Sequence, residues 1–175
     1  DKIYNKIDAF AANPNQKGLQ KLEVLEKSKQ KKTQSEIVAF FSLEYNLGYY
    51  QNQFGNTQKA INCYENAWRI YQKNKLTKYE IIDNCLRPLG NLYTIIGDYD
   101  NAENTIKNYF YIATTQNNLE QKSSAILNLS NVYQNTGRIN EAIDLLEKTI
   151  KTEKLSSIQK GILLNNLGSN YLLIS

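Results

Sequence analysis

The chain has 175 residues, 41% hydrophobic and 22% charged, with two prolines and a formal charge of +4 from 21 basic and 17 acidic side chains. This is a globular composition that excludes disordered and collagenous classes and lacks the broad basic face of a nucleic-acid binder, and no apolar run approaches the roughly 18–20 residues needed to span a bilayer. The absence of histidine excludes more: Ser-His-Asp and Cys-His machinery needs an imidazole, as do most zinc sites, and Cys63 and Cys85 are too few and too far apart for a thiolate site or a disulfide framework. No catalytic residue, metal or cofactor is expected, and the two thiols read as small buried apolar residues.

In chain order, Ile3, Tyr4, Ile7, Phe10 and Ala11 form one helical stripe, Asn13-Pro14-Asn15 breaks it, and Leu19, Leu22, Val24 and Leu25 form another. Residues 1–34 therefore read as a degenerate helical pair that caps whatever follows. The basic stretch Lys27, Lys29, Lys31, Lys32 reads as a solvated loop. From there the spacing predicts helices over 35–53, 57–73, 78–96, 99–116, 119–136, 139–153 and 157–174. Their apolar residues recur at three and four positions, as in Phe40, Phe41, Leu43, Leu47 and Tyr50, or Ile82, Cys85, Leu86, Leu89, Tyr93 and Ile96, or Ile126, Leu129, Val132 and Tyr133. Ser35 and Ser156 stand where N-caps are expected. Pro88 falls inside the third of these helices, where a missing N–H predicts a bend.

A second order lies over the first. Leu47-Gly48 leads through Gly55 to Ala60 and Tyr64; Leu89-Gly90 and Tyr93 lead through Gly97 to Ala102 and Ile106; Leu129-Ser130 and Tyr133 lead through Gly137 to Ala142 and Leu146; Leu167-Gly168 and Tyr171 begin again. The period is about forty residues, the mark of a stacked-hairpin array. The small residue after leucine and the later alanine let paired helices approach, and the turn glycine supplies the left-handed conformation that ends one helix.

This pattern resembles the tetratricopeptide repeat, which carries Leu-Gly-x-x-Tyr, a turn Gly and Ala-x-x-x-apolar in that order. The departures are an unusual length, no terminal proline, and Glu44, Leu86, Ile126 and Leu164 where the early tryptophan stands. Glu44 is the least comfortable of these. The resemblance implies an all-α, right-handed superhelical array of antiparallel helix pairs with repeats at about 35–76, 77–117 and 118–155, and the first helix of a fourth at 156–175. It implies no enzyme, and a concave wall, lined by first helices, that binds a protein or peptide. The residues beside the Leu-Gly pair are then Tyr45 and Tyr49; Arg87 and Asn91; Leu127, Asn128 and Asn131; Asn165, Asn166 and Ser169. Amides can hold the main chain of an extended peptide, or can bond to a neighbouring helix; tyrosines add rigid contact area, and Arg87 suits a carboxylate. One arginine does not complete a carboxylate clamp, so chaperone-tail binding is not expected.

Segments such as Gly90–Tyr99 and Leu127–Tyr133 also look like the repeat region before the caspase-like CHAT domain of many bacterial proteins. That resemblance would make the chain the regulatory arm of a larger protease whose chemistry lies in a C-terminal domain of the same polypeptide. A third expectation is a scaffold that self-associates through its last helix. With neither an initiator methionine at Asp1 nor an end to the apolar pattern at Ser175, the sequence reads as a fragment. Cytoplasmic residence is favoured, with export if a leader precedes Asp1.

Overall fold

In the computed structural model, residues 2–27 and 33–175 are described; Lys29, Lys31 and Lys32 of the basic stretch lie outside the described residues. The described elements are α1 (Lys2–Ala12), α2 (Gln16–Lys27), α3 (Gln34–Gln53), α4 (Thr57–Lys73), a π-helical turn (Ile82–Leu86), α5 (Arg87–Ile95), α6 (Tyr99–Thr115), α7 (Leu119–Asn135), α8 (Ile139–Thr152) and α9 (Ser157–Leu172). They fall into two compact units, 1–89 and 90–175.

In the first unit, Ile3, Ile7 and Phe10 of α1 and Leu19 and Leu22 of α2 close over Ala39, Phe40, Leu43 and Leu47 of α3. The α3 helix also packs along α4. Glu44 is buried, 3% exposed, on the α3 turn between Phe40 and Leu47. The cap of α3 is Thr33 rather than Ser35: Glu36 accepts the Thr33 N–H at 2.9 Å while its own N–H reaches the Thr33 hydroxyl at 3.4 Å. That reciprocal box needs its acid at the third helical position, which fixes the cap at Thr33. Ser156 caps α9 in the same way with Gln159.

Three hairpin turns share one construction. Gly55, Gly97 and Gly137 take φ of +77, +78 and +75°, and the next N–H closes a six-residue ring, Asn56 to Gln51, Asp98 to Tyr93 and Arg138 to Tyr133, at 2.8, 2.9 and 2.8 Å. Only glycine enters that conformation without a Cβ penalty, so the turns recur where glycine does. The turns after α4 and α6 use the same ring with Lys75 (φ +51°) and Asn117 (φ +54°) in the left-handed place.

The helix expected over 78–96 starts later and in two gauges. Leu86 N–H bonds to the Ile81 carbonyl and Arg87 N–H to Ile82, five residues back, before α5 begins. Pro88 is the physical reason: it offers no N–H, and its ring collides with the carbonyl four residues earlier unless the preceding turn widens.

Within the second unit, Ile126, Leu146 and Leu163 bring α7, α8 and α9 into one core. Each helix from α6 packs on the next, and α9 also reaches α7. Glu103 is a clasp at the edge of this stack. Its carboxylate takes Arg138 at 2.5 Å and Lys107 at 2.6 Å, and the Arg138 guanidinium lies 4.2 Å from the Tyr133 ring centre.

Pairing is tightest at the small residue of each first helix. A Cβ on Gly48 would stand 2.9 Å from the Tyr64 ring, and one on Gly90 3.0 Å from Ile106, whereas nothing lies within 4 Å of Gly168. Gly48→Ala is therefore expected to cost about 1–3 kcal/mol through overpacking. Gly168→Ala should be stabilising by roughly 0.5–1 kcal/mol through helix propensity. Denaturant melts of the two variants check this, and equal shifts in the same direction would contradict it.

The Glu103 carboxyl is held below the usual range, first by its hydrogen bond from Arg138 and then by Lys107, against the opposing effect of burial. A depressed folded pKa stabilises above the unfolded value, about 4.3 for glutamate, and that stability is lost as pH falls through the folded value. Glu103→Gln should lower stability by about 1 kcal/mol at pH 7 and converge with the parent chain in acid. Thermal melts between neutral pH and pH 3 test this; a constant gap across that range would refute it.

Candidate functional site

The outward residues of the first unit sit on an aromatic base. Tyr45 is half-buried, accepts a hydrogen bond from Ser42 Oγ at 2.9 Å and meets Phe41 edge-on at 5.2 Å. Tyr49 is 52% exposed and rests edge-on against Tyr50, which stands edge-on to Phe10. Their rings are thus fixed by neighbours and lose little freedom on contact. Arg87 reaches back one turn to Asp83 at 3.1 Å, with both side chains 42% exposed. Such an exposed pair is weak, so Arg87 can exchange Asp83 for another carboxylate at little cost.

The two thiols sit in the same unit. Cys63 is half-buried and its pKa is pushed up to about 12, by burial first and then by Glu44, Glu26 and Glu23. Cys85 is buried, its thiol donates to the Tyr64 carbonyl at 3.1 Å, and burial pushes its pKa up. Burial thus favours the protonated thiol at both positions. Among the described residues no group of three or more Cys, Asp or Glu is placed to hold a metal ion, and no helix is long and apolar enough to cross a membrane.

The asparagines of the second unit form rungs between successive first helices. Asn128 Nδ2 donates to Asn91 Oδ1 at 3.2 Å and to the Tyr109 hydroxyl at 2.7 Å. One repeat on, Asn166 Nδ2 donates to Asn131 Oδ1 at 3.1 Å, while Asn166 Oδ1 accepts from Ser130 Oγ at 2.8 Å. The positions correspond: in each rung the acceptor is the residue after the small one, Gly90 or Ser130, and the donor lies two residues before the next small one, Ser130 or Gly168. An amide has more donors and acceptors than a rung consumes. Asn91, an exposed side chain, keeps its NH2 group outside the rung, and so does Asn131. Asn128 keeps its carbonyl oxygen.

The structure thus brings Asn91 to Asn128 directly and Asn131 to Asn166, and leaves Asn165 exposed beside them. Both roles open to these amides from the sequence bear on the same side chains, since each rung bonds a neighbouring helix and retains polar valences. Sequence reasoning missed Tyr109, which comes from a second helix and supports Asn128 from behind. The separations of 37 and 35 residues between rung partners, close to the repeat length, are the signal that could have found the pairing.

Comparison with known proteins bears on the fold. Residues 45–74 match the Tetratricopeptide repeat family, and residues 92–164 match the family of Anaphase-promoting complex subunit 5. A curated relative, Tetratricopeptide repeat protein 29 of Trypanosoma brucei brucei, is 29% identical over 105 residues, 59% of this chain; the chain spans only about a fifth, 21%, of that relative's length. Among solved structures, the nearly identical TPR-like repeats of a protein described as a kinesin light chain from Podosopora anserina superpose with a TM-score of 0.72 at 16% identity, over 98% of this chain and 84% of that one. BtubC (BKLC) from P. vanneervenii gives a TM-score of 0.72 at 16% identity, over 96% of this chain and 70% of its own. The fold is therefore all-α, of the tetratricopeptide-like superhelical repeat class, which generally serves as a protein-interaction module.

Proposed function

We propose that the second unit binds an extended segment of a partner protein along the asparagine-bearing side of α5, α7 and α9, with Asn91, Asn128, Asn131 and Asn165 as the contact residues. The observation that carries this reading is the rung itself. The same amide pair recurs between successive first helices, α5 to α7 and α7 to α9, so the polar valences it leaves over recur with it. An extended peptide offers its own N–H and C=O groups at regular intervals, and a row of amides can answer them without reading the side chains. In the first unit, Tyr45 and Tyr49 offer held aromatic surface, and Arg87 a guanidinium only loosely engaged by Asp83.

Peptides selected by display on the immobilised chain, then titrated calorimetrically, test this. The double change Asn91→Ala and Asn131→Ala removes two hydrogen-bonding groups and should weaken the selected peptides about tenfold, at roughly 0.5–1.5 kcal/mol per bond. Circular dichroism should show the helices intact. An unchanged affinity in the double variant would remove this wall from the account.

A second reading, a scaffold that self-associates, has its own observation. On α9, Ile158, Ile162, Leu164 and Leu172 are 77, 48, 46 and 78% exposed, and Gly168 has open space where Gly48 and Gly90 meet Tyr64 and Ile106. A patch of this kind marks a contact surface. Light scattering across a dilution series should then show dimers that dissociate on dilution or on Leu164→Glu. A monomer at every concentration would end the scaffold reading.

A further inference from the structure

A cleft of about 580 Å³ opens in the first unit between α1, the start of α3 and the turn that follows α4. Its floor is apolar: Val38 is half-buried and Leu76 buried, and the rings of Tyr4 and Tyr79 also line it. Tyr79 is edge-on to Phe41 at 6.3 Å yet 43% exposed, so the ring is anchored on one side and open on the other. The Tyr4 phenol is pushed up by burial first and then by the nearby phenols of Tyr45 and Tyr79.

Among the described residues the lining contains two cations, Lys75 and Lys78, and no carboxylate. Both lysines are exposed, and neither is ion-paired among the described residues. Their backbone is held in place. Leu76 N–H bonds to Tyr71 at 3.1 Å, Thr77 N–H to Lys75 at 2.8 Å and Tyr79 N–H to Leu76 at 3.0 Å. Lys75 also occupies the left-handed position at φ +51°, where the corresponding turn of the second unit has asparagine. A lysine there gains nothing for the turn, since asparagine tolerates that conformation better. Its charge on the cleft rim is what the residue adds.

We propose that this cleft docks an acidic, extended segment of a partner protein, with one bulky apolar side chain seated over Val38 and Leu76 and flanking carboxylates on Lys75 and Lys78. A charged rim around an apolar floor selects both features together, because each lysine favours a carboxylate and the floor excludes a polar insert. A nucleic-acid strand fits less well. It would need more phosphate contacts than two lysines supply, and the aliphatic floor gives a base little to stack on.

The probe is a fluorescein-labelled heptapeptide, Glu-Asp-Glu-Phe-Asp-Glu-Asp, titrated into the whole chain by anisotropy at low and at physiological salt. Saturable binding is expected, weaker at higher salt, and lost for the peptide with Ser in place of Phe and for the peptide with carboxamides in place of carboxylates. Lys75→Asn with Lys78→Gln should weaken it roughly threefold to tenfold, the size of two screened surface pairs. Asparagine suits the left-handed turn, so the variant keeps its fold. Lys148→Gln, an exposed lysine of the other unit, should bind like the parent, as should the Asn91→Ala, Asn131→Ala variant, which separates this cleft from the amide wall. No saturable binding, an undiminished affinity in the lysine variant, equal binding of the carboxamide peptide, or equally tight binding of single-stranded poly(U) would each overturn the proposal.

Discussion

The outward faces of α3 and α5 depend on how closely each helix approaches its partner at a residue that has no side chain. Gly48 lies under the Tyr64 ring and Gly90 under Ile106, each sixteen residues further on, with no room for a Cβ. Contact at that distance fixes the rotation of the first helix about its own axis as well as its separation, because a ring can sit only over the glycine and not over its neighbours. Once that rotation is fixed, the residue after the small one is pointed away from the core. Tyr49, Asn91 and Ser169 are exposed and Asn131 is half-buried, while Leu47, Leu89 and Leu129 just before are buried. The wall is therefore a consequence of the seam, and substitutions on it need not disturb the packing behind it.

The seam was legible in the sequence because it depends on small residues at fixed spacing, and few other constraints demand them there. The turn glycines were legible for the same reason. Features set by one local conflict were harder to read. Pro88 announces a disturbance, but whether the chain answers with a kink or a widened turn depends on which carbonyl its ring meets. Ser35 and Thr33 are both good caps by type, and the partner Glu36, three residues after Thr33, decides between them. Glu44 looked out of place on an apolar stripe, and it is buried there all the same, close enough to Cys63 to help raise that thiol.

The candidate site was half legible. Its positions follow from the repeat, but its bonds do not. An asparagine can face solvent, cap a turn or pair across helices, and a single repeat cannot say which. Pairing becomes visible only by comparing Asn91 with Asn128 and Asn131 with Asn166 across a whole period. Tyr109, on a second helix, and the approach of Tyr4 of α1 and Tyr79 of the segment after α4 to Tyr45 stayed hidden because those partners lie outside the first-helix register.

The two units offer chemistries that sort partners differently. In the second, the amides are neutral and already satisfied in part by one another, so a main chain docked there as proposed would add bonds to a preorganised row, with little order imposed on binding. Neutral hydrogen bonds of this kind are weakly sensitive to salt and nearly blind to side-chain identity. In the first, the cleft places two lysines around an apolar floor, so affinity there falls with ionic strength and depends on what side chain enters. A segment that satisfied one of these surfaces would gain nothing at the other from the same feature. On the proposed readings, breadth of recognition would belong to the amide wall and selectivity to the tyrosine-lined cleft, and the repeat permits both because its packing sets where outward residues point without dictating their identity.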